Sequence, residues 1–209
     1  MSLDASLVFV VDDDERVRSA LSSLLASAGL RVSCFASGSD FLACERPDVP
    51  ACVLLDLELP DFSGLELQRA LATSDGPPIV FVTGHGDIPT SVKAMKAGAV
   101  EFLSKPFGDE ELLRAIDAAL ALDRGAREKR ADQANLRRRH GRLTPREREI
   151  LPFVVAGFAN KQTAAELGTS EITIGVHRGQ IMRKMEAHSL AALIRMADKL
   201  GILPPKSGT

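Results

Sequence analysis

Tryptophan and tyrosine are absent from the 209 residues, and phenylalanine supplies all nine aromatics. A nucleic acid would therefore not be held mainly by base stacking on aromatic rings. Cysteine is scarce: Cys34, Cys44 and Cys52 form no CxxC and no metal-ligand spacing, so packing is their default role. An odd number of thiols behind an N-terminus (MSLDAS) with neither a charged leader nor an apolar core fits reduced cysteines in a cytoplasm. No apolar run approaches the 18 residues of a membrane span, so none is expected. Internal repeats and low-complexity tracts are missing too.

Charge is present and unevenly spread. Residues 1–122 carry 9 basic and 19 acidic side chains, a net of −10. Residues 123–142 carry 8 and 3, a net of +5, and residues 143–209 carry 9 and 6, a net of +3. An acidic half followed by a basic half points to two domains with different partners, the second of them nucleic acid. Residues 123–142 hold one large apolar side chain, Leu136, and read as a basic, partly helical linker broken at Gly125 and Gly141.

The first 122 residues alternate strand and helix. Apolar runs at 7–11, 30–35, 51–55, 78–83 and 100–103 read as buried parallel strands. Amphipathic segments at about 15–28, 39–45, 64–73, 88–97 and 109–122 read as the helices between them. Five such units predict an α/β domain: a doubly wound, five-stranded parallel sheet of flavodoxin-like order 2-1-3-4-5. From Leu143 onward the pattern is all helical, a four-helix domain. Thr144, Pro145 and Glu147 spell a capped helix start. A short helix at 160–167, the turn at Gly168 and a longer helix capped by Ser170 make a helix-turn-helix, with a last helix at 189–200.

Charged residues close three of the apolar runs: Asp12 and Asp13 the first, Asp56 the third, Lys105 the fifth. Ligands of open α/β sheets bind at the carboxyl ends of the strands, so these side chains should converge on one cleft. Carboxylates with one ammonium suit Mg²⁺ and a phosphoryl group. Asp13 and Asp56 would be metal ligands, Asp12 would help, and the backbone carbonyl of Glu58 would complete the set. Asp56 is the best nucleophile, since carboxylates form aspartyl phosphates. Lys105 would neutralise the transferring group, and Thr83, ending the fourth run, would bring a hydroxyl to it. Simpler roles compete at single positions. Asp14 is most simply a helix N-cap, and His85 reads as an exposed loop residue.

On these motifs, VVDDDE (10–15), LLDLELPDFSG (54–64), VTGHG (82–86) and SKPF (104–107), residues 7–122 resemble the receiver domain of two-component response regulators. The resemblance implies phosphorylation of Asp56 by a sensor histidine kinase, Mg²⁺ at Asp12 and Asp13, and phosphoryl contacts from Thr83 and Lys105. It also implies a cis Lys105–Pro106 bond and a switch made by Thr83 and Phe102. Phe102 lacks the hydroxyl of the commoner tyrosine, so it would act by packing.

LTPREREIL (143–151) and ANKQTAAEL (159–167), with Ser170, Thr173, Ile174, His177 and Arg178, resemble the LuxR-type helix-turn-helix of the NarL/FixJ class. Ile174, Ile181 and Met185 should face the core, with His177 packed beside them. Lys161, Arg178, Arg183 and Lys184 are expected phosphate contacts. Thr173, Gly175, Val176 and Gly179 are further expected DNA-binding positions, and Val176 can touch a thymine methyl. Positions 175 and 179, often lysine in this class, are glycine here. The joint expectation is a transcription regulator, not an enzyme, that dimerises on phosphorylation and binds paired half-sites of double-stranded DNA in the major groove. The rival readings are a Mg²⁺-dependent phosphohydrolase with an aspartyl nucleophile, and an adaptor that does not bind DNA.

Overall fold

A computed structural model describes residues 6–74, 76–84 and 87–205; His85 lies outside the described residues. The chain packs as two compact units that divide between Arg127 and Glu128.

In the first unit, β1 (Leu7–Val11), β2 (Arg31–Phe35), β3 (Ala51–Leu55), β4 (Ile79–Thr83) and β5 (Glu101–Ser104) form one parallel sheet in the order β2-β1-β3-β4-β5. The intervening helices are α1 (Glu15–Ser27), α2 (Gly38–Ala43), α3 (Gly64–Ala72) and α4 (Ile88–Lys96). The central strands are buried on both faces, which is why they read as unbroken apolar runs. Alternate residues feed two cores. Val8, Val10, Leu54 and Val80 pack with Leu21, Leu25, Leu112 and Ile116. Phe9, Val11, Leu55 and Phe81 pack with Phe41, Leu67 and Leu71 on the other side.

Local chemistry starts the helices where the sequence says it should. Asp14 caps α1 by accepting from the Arg16 N–H at 2.8 Å. Ser63 and Glu66 form a reciprocal capping box on α3. Asp87 caps α4.

A helix α5 runs from Asp109 to Gly141, straight through Gly125. The break expected at Gly125 is not there. One glycine costs a helix interior about 1 kcal/mol, and ties on either side of it outweigh that. Asp123, 3% exposed, accepts the Ala51 N–H at 2.9 Å and the Arg127 Nε–H at 2.6 Å. Arg127 also pairs with Asp48. The first polar turn of the supposed linker thus satisfies a buried donor at the start of β3.

The second unit comprises the end of α5 with α6 (Pro145–Val155), α7 (Asn160–Glu166), α8 (Glu171–Met185) and α9 (Leu190–Lys199). Leu136, the lone large apolar residue of 123–142, is buried in its core with Leu143, Ile150, Ile174, Ile181 and Leu193. Gly168, at φ 61°, supplies the left-handed turn between α7 and α8.

Asp123→Ala leaves the Ala51 amide buried without its acceptor and takes from Arg127 one of its two acidic partners. The variant should unfold its first unit with roughly 1–3 kcal/mol less stability in urea titration. An unchanged midpoint would mean that water replaces the carboxylate.

Candidate functional site

The carboxyl edge of the sheet brings Asp12, Asp13, Asp56, Thr83 and Lys105 together. β1 and β3 pair in register, Val11 opposite Leu55, so the acids that follow them stand side by side. Carboxylate oxygens of Asp12, Asp13 and Asp56 lie within 4.8 Å of one another. Lys105 Nζ bridges Asp12 at 2.7 Å and Asp56 at 3.1 Å. Its backbone N–H donates to the Thr83 carbonyl at 2.8 Å, and the bond to Pro106 is cis. Thr83 is 1% exposed.

The electrostatics follow from burial. Asp12 is 2% exposed, and that burial lifts its pKa above the ordinary carboxylate value despite the Lys105 ammonium. Burial works against the charge on Lys105, yet Asp12 and Asp56 together raise its pKa. Three carboxylates facing one ammonium leave a surplus of negative charge and only hard oxygen donors. That donor set fits Mg²⁺.

Two positioning groups were not visible in the sequence. Arg18 Nη1 donates to the carbonyls of Asp12 and Asp13, both at 2.8 Å, which holds the acidic turn from α1. Asp61 accepts from the Gly38 and Ser39 N–H groups at 3.1 and 2.7 Å, tying the loop after Asp56 to the start of α2. Hydrogen bonds from the Ser39 side chain, then from those backbone amides, hold the Asp61 pKa down at about 2. Gly64 closes the same loop. A Cβ there would lie 2.4 Å from the Asp56 carbonyl oxygen, so only glycine lets α3 start so close to the acid. Glu58 is exposed in this loop, bridged to Ser63, and its N–H donates to Asp56 Oδ1 at 3.3 Å. Phe102 is half-buried, with its ring centroid 6.0 Å from that of Phe81.

On the second unit, Val176, Gly179, Arg183 and Lys161 are exposed, whereas Thr173 and Gly175 are half-buried. Two of the expected phosphate contacts, Arg178 and Lys184, have partners within the protein. Lys184 Nζ is bound to both carboxylate oxygens of the buried Glu147, at 2.8 and 2.7 Å. Arg178 Nη1 donates to the Phe158 carbonyl and to Asn160 Oδ1, at 3.0 and 3.1 Å, and so braces the start of α7. A buried acid and a helix start demand these cations, and their partners lie 18 to 37 residues away, out of reach of local sequence patterns. Ile172, at 81% exposed, is a surface residue of α8 that sequence reasoning missed.

Comparison with known proteins accords with both halves. Residues 8–117 match the response regulator receiver domain, and residues 141–197 match the bacterial regulatory proteins of the luxR family. Nodulation protein W of Bradyrhizobium diazoefficiens is 50% identical over 198 residues, covering 94% of this chain and 87% of that protein. Transcriptional regulatory protein FixJ of Rhizobium meliloti is 46% identical over 200 residues, covering 94% and 97%. Among solved structures, response regulator StyR superposes with a TM-score of 0.86 at 48% identity, over 93% of this chain and 99% of that one. The chain belongs to the response regulators that join a receiver domain to a luxR-family DNA-binding domain, the NarL/FixJ class. It is a DNA-binding transcriptional regulator whose receiver domain implies a histidine kinase as partner. Receiver domains generally bind Mg²⁺, and the acidic cluster is of that kind. No helix among the described residues is long and apolar enough to cross a membrane.

The Lys184–Glu147 pair yields a pH-dependent test. Burial pushes the Glu147 pKa up, but the hydrogen bonds from Lys184 and from the Thr144 backbone bring it below the usual value. The pair's contribution is therefore complete above the unfolded carboxylate pKa, about 4.3, and is lost as the pH falls through the lower folded value. Lys184→Met should destabilise the second unit by roughly 1–3 kcal/mol at pH 7. The difference from wild type should shrink towards pH 3. A pH-independent difference would mean that lost packing, not charge, is responsible.

Proposed function

We propose that the protein accepts a phosphoryl group on Asp56 from its kinase, then pairs with a second copy and binds two DNA half-sites. The observation that carries this reading is Asp56 beside Asp12 and Asp13, with Lys105 bridging two of the three. An Asp56 carboxylate oxygen attacks phosphorus, the P–N bond of a phosphohistidine breaks, and its electron pair stays on the imidazole, which takes up a proton. Lys105 is already oriented at the nucleophile, so little reorganisation is needed as charge builds on the transferring oxygens. Asp12, Asp13, Asp56 and the Glu58 carbonyl are the groups that would hold Mg²⁺, whose chemistry here is neutralisation of phosphoryl charge.

The output is carried by Thr83. Movement of its hydroxyl towards a phosphoryl oxygen would load the backbone bond to Lys105 and the neighbouring ladder, where Thr83 faces Ser104 and Phe81 faces Phe102. Phe102 then repacks against Phe81. The surface of α4, β5 and the start of α5 changes with it, and on this reading that surface forms the dimer. The Arg127–Glu128 division of the packing supports a receiver unit reaching to Arg127, a few residues beyond the 1–122 read from composition. On the second unit, Lys161 and Arg183 remain as phosphate contacts.

The kinetic signature separates this reading from a phosphohydrolase: the protein is modified once and does not turn over small phosphate esters. Asp56→Asn should abolish stable labelling by a small phosphodonor in Mg²⁺, read by mass spectrometry after borohydride trapping. Label at the wild-type level on the variant would move the acceptor elsewhere. In sedimentation, a beryllofluoride phosphoryl mimic should shift monomer towards dimer in the micromolar range, and an unchanged mass would sink the dimer reading.

A further inference from the structure

The outward face of α8 carries two exposed aliphatic side chains, Ile172 and Val176, beside a bare glycine and one arginine. Ile172, Val176, Gly179 and Arg183 follow one another at spacings of four, three and four residues, which places them on one stripe. Ile172 is 81% and Val176 58% exposed, while Ile174, Ile181 and Met185 are fully buried. Several polar side chains of the helix have partners within the protein. Arg178 braces α7, Lys184 holds Glu147, Gln180 accepts from Arg183, and the Thr173 hydroxyl bonds Ser170. The glycines are not demanded by the fold. Neither has a positive φ, an added Cβ at 179 would meet nothing within 4 Å, and one at 175 would make an ordinary 3.5 Å contact with Asn160. Each nevertheless lowers helix propensity. Bare backbone beside two exposed aliphatic side chains lets the helix approach a surface closely.

We infer that α8 reads its DNA through the C5-methyl groups of thymine, with Ile172 and Val176 as the specificity-determining residues. This rests on the DNA-binding reading of the second unit. In the major groove the thymine methyl is the base-edge group that an aliphatic side chain recognises. The occupant is fixed as nucleic acid by charge: residues 143–209 carry a net of +3, and the exposed Lys161 and Arg183 accompany the apolar stripe. Arg183 positions the helix on phosphate, and the methyl contacts choose the site.

The experiment uses the full chain with beryllofluoride. A site is selected from random DNA, and each thymine in it is then replaced singly by deoxyuridine, which pairs identically but lacks the methyl. Binding should weaken about fourfold at each contacted thymine, the equilibrium worth of burying one methyl group. Ile172→Ala should erase the penalty at one position of each half-site and Val176→Ala at another. Both side chains are exposed, so neither substitution should disturb folding, and random-DNA binding reports the fold independently. Uniform tolerance of deoxyuridine in a site that is still bound selectively overturns the inference, as do penalties that persist in both alanine variants. Failure of the wild type to retain any DNA at low salt instead overturns the DNA-binding reading beneath it.

Discussion

The Lys105 ammonium stands between carboxylates that arrive on different strands, 2.7 Å from Asp12 and 3.1 Å from Asp56. β5 is not a neighbour of β1 or β3; β4 lies between. The side chain therefore reaches past the end of β4, and the geometry holds only while three strand pairs keep register. A one-residue slip would turn every inward side chain of a strand to the opposite face. Asp12 could then not be buried as an anion, because an uncompensated charge in that position is strongly unfavourable. The apolar runs that fix the register and the charges that use it are thus mutually dependent. This also makes the edge responsive. A dianionic phosphoryl group on Asp56 would compete with Asp12 for the same ammonium, and the Lys105 N–H to Thr83 carbonyl bond joins the two groups that would have to move.

The surrounding loops are arranged to keep that edge from relaxing. Arg18 holds the carbonyls of the acidic turn and leaves the carboxylates to face the cleft. Asp61 anchors the loop after Asp56 to α2, and Gly64 brings α3 against the Asp56 backbone. Neither Arg18 nor Asp61 touches the cleft carboxylates in this arrangement. Their effect is to fix backbone whose groups do, including the Glu58 carbonyl on the proposed reading.

Much of this was legible in the sequence because it rests on local patterns. Unbroken apolar runs mark doubly buried strands, and the acids that close them fall at the carboxyl edge by the geometry of a parallel sheet. The caps at Asp14, Ser170 and Thr144 with Glu147 involve residues within four positions of one another. What stayed hidden rests on partners far apart in the chain. Asp123 looks like one acid in a basic linker until β3 brings the Ala51 amide to it, 72 residues away. Leu136 looks like an accident of composition until the second unit closes around it. Lys184 and Arg178 look like free cations. Ile172 differs from these: its outward position follows from the local helix phase set by Ile174 and Ile181.

The hidden partners change the reading of charge in the second unit. Its count of nine basic side chains in residues 143–209 overstates how many are free for phosphate, since Lys184 is paired with a buried acid and Arg178 hydrogen-bonds a helix start. Affinity for DNA as a polyanion scales with the number of phosphates neutralised, so each cation taken up inside the protein lowers what one unit can reach alone. Two linked units bind as the product of weak contacts, and the second gains from effective concentration rather than from new contacts. On the dimer reading, weakness of the single unit is what makes phosphorylation decisive: a domain that bound DNA tightly alone would be occupied in either state. On the methyl-readout proposal, fewer phosphate contacts would leave that face a larger share of the binding energy. The discrimination between sites then stays high even though the total affinity is modest.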